Sequence, residues 1–123
     1  MSTNDEPYDV AVVGLGALGS AIVRPLAQRG ARVLGLDRHA PPHDLGSSHG
    51  ESRITRLAIG EGEQYTPLAQ RSHELWREIE RETGADLLTV TGGLIVSSDA
   101  PRAATHVEGF FANTVAAARK FGI

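Results

Sequence analysis

The stretch "DVAVVGLGALGSA", residues 9–21, decides the fold class. Asp9–Gly14 is a short β-branched apolar run with a glycine directly behind it, the pattern of a buried parallel strand. "ALGSAIVRPLAQRG" (17–30) then sets Ala17, Ala21, Ile22, Leu26 and Gly30 at helical spacing, with Gly30 expected to close the helix. Pro25 cannot donate within that helix, so a bend is expected there. The next run, Arg32–Asp37, reads as a second buried strand.

"GLGALG" places glycines at 14, 16 and 19. A bare GxGxxG is weak evidence, because a glycine-rich turn in an unrelated α/β domain gives the same pattern. Here a strand precedes it, a helix opens within it and a second strand ends on Asp37, close to the acid position of a dinucleotide-binding βαβ unit. Gly14 permits the tight turn, Gly16 lets backbone approach a pyrophosphate, and Gly19 lets helix and strand pack closely. Ala17 and Leu18 lie in the helix N-terminus, whose free N–H groups and partial positive charge suit a phosphate. Asp37 can accept from ribose hydroxyls and argues against a 2′-phosphate, whereas Arg38 beside it pulls the other way.

The fingerprint does not separate NAD from FAD. From Arg38 to about Gly50 the chain shows neither period and carries Pro41, Pro42, Gly46, Ser47, Ser48 and Gly50. A loop of that length is commonly functional, and it can lay N–H groups and hydroxyls along a long cofactor. That tilts the reading toward FAD.

Beyond the loop, "TPLAQRSHELWREIERETG" (66–84) predicts a helix with Thr66 as N-cap, Pro67 at the first helical position and Gly84 as the stop. Leu68, Leu75, Trp76 and Ile79 form its apolar stripe, and Glu74/Arg77 and Glu78/Arg81 stand at i,i+3. Leu87–Ser98 reads as two short strands around Gly92-Gly93, and Val107–Gly122 as a last helix. Trp76, Phe110 and Phe111 are expected in the core.

Hydrophobic residues make up 41% and charged residues 22%, as in a soluble globular protein, and a net charge of −3 without a basic run gives no reason to expect nucleic-acid binding. The absence of cysteine excludes a disulfide framework, a thiolate metal site and a cysteine nucleophile. No metal-ligand spacing and no Ser-His-Asp grouping occurs. The polar, acidic start is unlike a signal peptide, and no apolar run approaches the roughly 18 residues of a membrane span, so a cytoplasmic protein is expected.

Three stretches carry a more specific resemblance: "DVAVVGLGALGSA", "LDRHAPPHDLGSSHGESRITRLAIGEGEQYTPLAQRSHELW" and "TGGLIV". They resemble the N-terminal part of the monomeric sarcosine oxidase and N-methyl-tryptophan oxidase family. The resemblance implies a flavoenzyme that oxidises a secondary or N-methyl amino acid, with hydride transfer to FAD and O2 as electron acceptor. It implies that Gly14, Gly16, Gly19 and Asp37 match pyrophosphate and ribose contacts, and that Ser47, Ser48, Ser52 and Arg53 match the loop along the flavin. His49 and Arg53 match residues beside the isoalloxazine ring, and Arg56 the arginine that binds the substrate carboxylate. The chain departs from the family at Ser48, where many members have a second histidine, and in "LAIGEG", where they have "HAYGEG".

Without the resemblance, Arg53 and Arg56 read first as solvated loop arginines and His49 as a loop histidine. Their spacing puts the arginines on one side of a helical turn but on opposite faces of a strand. A guanidinium does suit carboxylate recognition, because its planar fork makes paired, charge-assisted hydrogen bonds. Glu61 and Glu63 read as structural, and His39, His43, His73 and His106 as surface or packing residues.

The expected fold is α/β: a Rossmann-type FAD-binding βαβ unit with an incomplete doubly wound sheet and the start of a second, catalytic domain. Residues 1–60 are expected to form the βαβ unit and flavin loop, and 61–123 to continue the oxidoreductase domain. Only two strands of that sheet are legible, so an N-terminal fragment lacking its C-terminal partner half is expected. The alternatives are a non-catalytic FAD- or nucleotide-binding fragment and an NAD-dependent dehydrogenase.

Overall fold

The structure, a computed structural model, describes residues 7–97 and 109–123. The chain divides into two compact units, Met1–Arg53 and Ile54–Ile123.

In the first unit, β1 (Val10–Val13) and β2 (Val33–Leu36) pair in parallel, with Val10 opposite Val33 and Val13 opposite Leu36. Helix α1 (Ala17–Gln28) connects them and packs on both. The alternation along β1 shows which face it covers: Val12 is 8% exposed, whereas Val13 is 82% exposed. The expectation of two fully buried strands is therefore corrected. One helix covers one face, and no described element of this unit covers the other. Asp9 fixes the start of β1, its backbone N–H donating to the Arg32 carbonyl at 2.9 Å and its carboxylate accepting from the Arg32 N–H at 2.8 Å. At its far end α1 runs through Pro25, and Gly30 turns the chain out at φ +86°.

In the second unit, a 3₁₀ turn (Glu63–Tyr65) leads straight into α2 (Thr66–Thr83). Thr66 is thus the first helical residue and not an extended N-cap, and its buried hydroxyl has no hydrogen-bond partner. Gly84 ends α2 as expected, in the left-handed conformation at φ 71°. The ion pairs on α2 differ from the expected ones: Arg71 binds Glu74 and Glu78, and Arg77 binds Glu80.

No strand forms over residues 87–97. The Glu80 carboxylate accepts the N–H groups of both Leu87 and Leu88 at 2.8 Å, so the start of that segment is tied to α2 rather than offered to a ladder. Ser98 and Val107, like His106, lie outside the described residues. The last helix, α3, spans Phe110–Phe121 and begins after Gly109 at φ 70°. Its buried positions are Thr114 and Ala117. Trp76 and Phe111 are each 42% exposed, contrary to the expected core. Among the described residues no helix is long and apolar enough to cross a membrane.

Candidate functional site

The glycine turn between β1 and α1 is built by three different constraints. Gly14 has φ +90°, a conformation that L side chains rarely adopt, and its N–H donates to the Leu36 carbonyl at 2.7 Å. Gly19 faces back onto the same residue: a Cβ there would lie 1.7 Å from the Gly14 carbonyl oxygen. Gly16 is the N-cap of α1, and a Cβ there would meet nothing within 4 Å. Space over Gly16 is open, and the helix start carries neither a side-chain cap nor an acidic residue in its first turn. The N–H groups of Ala17, Leu18 and Gly19 belong to that first turn, where no intrahelical acceptor exists. Ser20 turns its hydroxyl back to the Gly16 and Ala17 carbonyls.

Asp37, directly after β2, closes the turn. Its Oδ2 accepts from the Leu15 N–H at 2.6 Å and its Oδ1 from the His39 N–H at 3.0 Å. These two backbone donors, His39 first and then Leu15, hold the carboxyl at about 2 against an ordinary 3.8, with burial opposing them and His43 adding to them. Asp37 is therefore ionised at neutral pH. His43 Nε2 lies 3.4 Å from Oδ1, and the His39 ring stands edge-on to the His43 ring at 5.3 Å. The Leu15 side chain lies over Gly35, where a Cβ would sit 3.0 Å from Leu15 Cδ2.

These features fit the adenosine diphosphate half of a dinucleotide. An open backbone approach and free N–H groups suit a pyrophosphate, and a fixed, ionised carboxylate at the end of β2 suits ribose hydroxyls.

The loop from Arg38 to Arg53 has no regular structure. Arg38, Ser47, Ser48, His49, Ser52 and Arg53 are all exposed on it. His49 Nδ1 contacts the Gly46 carbonyl, and Arg53 donates to the Ser52 carbonyl at 2.8 Å. The Arg53 guanidinium lies beside Gly50, where a Cβ would come within 2.3 Å of it.

Arg56 belongs to the second unit, in an irregular segment. Its guanidinium donates to Glu61 at 2.6 Å and lies over the Phe110 ring, 5.5 Å from the centroid. Both members of the pair are about two-fifths exposed, at 43% and 41%. Glu61 is held below the usual carboxylate range by its own backbone N–H and then by Arg56. Gly60 is wedged under α3: a Cβ would lie 2.3 Å from Thr114 Oγ1 and 2.6 Å from the Phe110 carbonyl. Glu63 pairs with Lys120 at 2.8 Å, so both acids of "GEGE" hold structure together.

Sequence reasoning left His43 as a surface or packing residue and did not single out Leu15, yet both contact Asp37. The signal for His43 was its place in the "PPH" segment, six residues after Asp37. A cleft of about 490 Å³ lined by Ile95, Val96, Ser97, Phe110 and Phe111 has no titratable side chain among the described residues that line it. Among the described residues no group of three or more His, Asp or Glu could hold a metal ion.

Comparison with known proteins gives matches over most or all of the chain. A family model described as FAD dependent oxidoreductase matches residues 9–123. Monomeric sarcosine oxidase of Streptomyces avermitilis is 54% identical over 89 residues, covering 72% of this chain and 23% of that protein. Monomeric sarcosine oxidase of Bacillus sp. (strain B-0618) is 43% identical over all 123 residues, 29% of its length. N-methyl-L-tryptophan oxidase of Yersinia pestis (strain Pestoides F) is 44% identical over 92 residues, 75% of this chain and 25% of that protein. The resemblance read from the sequence is borne out, and the chain spans about a quarter of the length of these relatives.

Proposed function

The chain belongs to the FAD dependent oxidoreductase family, and from that premise we propose that it is the FAD-binding portion of a cytoplasmic oxidase acting on sarcosine or a related N-methyl amino acid. The observation that carries the proposal is the open Gly16 at the start of α1, beside an ionised Asp37 that is bonded to the same turn. In this reading the N–H groups of Gly16, Ala17, Leu18 and Gly19 receive the pyrophosphate, with Gly14 shaping the turn. Asp37 accepts from the ribose, and Arg38 lies at the rim of that site. Residues 1–60 supply the βαβ unit and flavin loop, and 61–123 lead into a second, catalytic domain.

FAD, when bound, supplies the two-electron acceptor for amine oxidation, with O2 as the final oxidant. Ser47, Ser48, Ser52 and Arg53 line the cofactor from the loop, and His49 and Arg53 stand next to its ring system. Arg56 receives the carboxylate of the substrate. The exposure of its side chain, 43%, supports this role, since a guanidinium has five N–H donors and the bond to Glu61 engages Nη2.

The test is a titration of the 123-residue chain with FAD and, separately, with NADH, followed by calorimetry and flavin fluorescence. Saturable FAD binding with none for NADH is expected. Saturable NADH binding without FAD binding would overturn the proposal in favour of a nicotinamide enzyme.

A further inference from the structure

We propose that His43 works with Asp37 as a donor–acceptor pair that reads the two vicinal hydroxyls of a ribose. The first unit then selects nucleotides by an intact cis-diol as well as by their diphosphate. The inference rests on the nucleotide-binding reading above and extends it to a residue that reading does not use.

The tautomer of His43 follows from its neighbours. Its Nδ1 accepts the Leu45 N–H at 3.2 Å, so that nitrogen carries its lone pair, not a proton. The single proton of the neutral ring is then on Nε2, which faces Asp37 Oδ1 at 3.4 Å. That distance is beyond the usual 2.7–3.2 Å range, so the contact is weak and readily exchanged. Nor does Asp37 depend on it, since the Leu15 and His39 N–H groups already bind the carboxylate at 2.6 and 3.0 Å. The Nε2 proton is therefore a donor in surplus, held beside an acceptor that has a lone pair to spare on Oδ2.

The ring is also aimed. The Leu45 bond fixes one edge and the edge-on His39 ring restrains its plane, at an interplanar angle of 72°. Both side chains are mostly covered but reach the surface, His43 17% and Asp37 12% exposed. A carboxylate alone can only accept. A ribose diol placed here can donate from one hydroxyl to Asp37 and accept at the other from His43, which a 2′- or 3′-deoxyribose cannot do.

The experiment is calorimetry of ADP, 2′-deoxy-ADP and 3′-deoxy-ADP with the 123-residue chain and with His43→Ala and His43→Gln. Circular dichroism checks that the variants keep their helices. One hydrogen bond predicts that the wild type prefers ADP over at least one deoxy analogue by about three- to tenfold. His43→Ala should lose about the same factor for ADP and abolish that preference. His43→Gln should recover most of both, because its side-chain amide still donates. Unchanged ADP affinity in His43→Ala, or an equal loss for all three nucleotides, overturns the pair. An 15N spectrum of the free chain showing the proton of His43 on Nδ1 overturns it too, even if a variant fails to fold. Failure of the wild type to bind either ADP or FAD overturns the nucleotide reading and this inference together.

Discussion

Replacing Gly19 by Ala adds one methyl group at the tightest point of the first unit. The new carbon would lie 1.7 Å from the Gly14 carbonyl oxygen, 2.8 Å from the Gly14 carbonyl carbon and 3.5 Å from Val12 Cγ1. Two of the three are backbone atoms, so no flexible side chain can yield, and α1 must move away from β1 by more than an ångström. Overpacking of this kind costs up to about 3 kcal/mol, while alanine gains at most about 1 kcal/mol over glycine in the first turn of a helix, leaving a net loss of about 2 kcal/mol. With a urea m-value of about 1 kcal/mol/M for a small domain, the midpoint of unfolding falls by about 2 M. Far-UV circular dichroism across a urea series measures that shift. Gly16→Ala is the paired control: its Cβ has free space, so it costs only the roughly 0.5–1 kcal/mol of a poorer N-cap residue. It should keep the fold yet weaken FAD binding. A Gly19→Ala chain as stable as the wild type would refute the close approach of α1 to β1 and the fingerprint reading built on it.

Glu80 is held at about 2 rather than the ordinary 4.5, chiefly by the Leu88 N–H, then Arg77 and the Leu87 N–H. A depressed carboxyl stabilises the fold above its unfolded value and loses that contribution as pH falls from 4.5 toward 2. The amide proton shifts of Leu87 and Leu88 should therefore titrate with a midpoint near 2, and Glu80→Gln should remove the transition. Gly84→Ala forces a side chain into the left-handed region at φ 71° and should cost about 1 kcal/mol by the same urea measurement. In a full-length relative-sized protein, Arg56→Ala should raise KM for the amino-acid substrate while leaving flavin content unchanged. Loss of flavin instead would sink its assignment to the carboxylate.

What was legible in the sequence was what neighbours along the chain decide. β1, α1 and β2 announced themselves by period and by glycine positions, and Gly84 by its place after the last periodic residue of α2. The openness of the Val13 face was not legible, because burial of a strand depends on elements that no local pattern records. Residues 87–97 have β-branched content but do not form strands. A carboxylate on the preceding helix captures their first N–H groups, an event without periodic signature. Arg56–Glu61 and Asp37–His43 escaped for a related reason. Each joins residues five or six apart in irregular chain, where spacing implies nothing about side-chain direction. The core placement of Trp76 and Phe111 failed because an apolar stripe specifies a need for cover and not its presence.

The 2.6 Å bond from the Leu15 N–H to Asp37 has a consequence for genetics. It joins the loop after β1 to the loop after β2, so the contacts proposed for a diphosphate and for a sugar rest on one shared strut. Substitutions at Asp37 and in the glycine turn should then be strongly non-additive, since either one releases the same constraint. Damage at one end of this unit will mask damage at the other, and a survey of single variants will count one strut several times over.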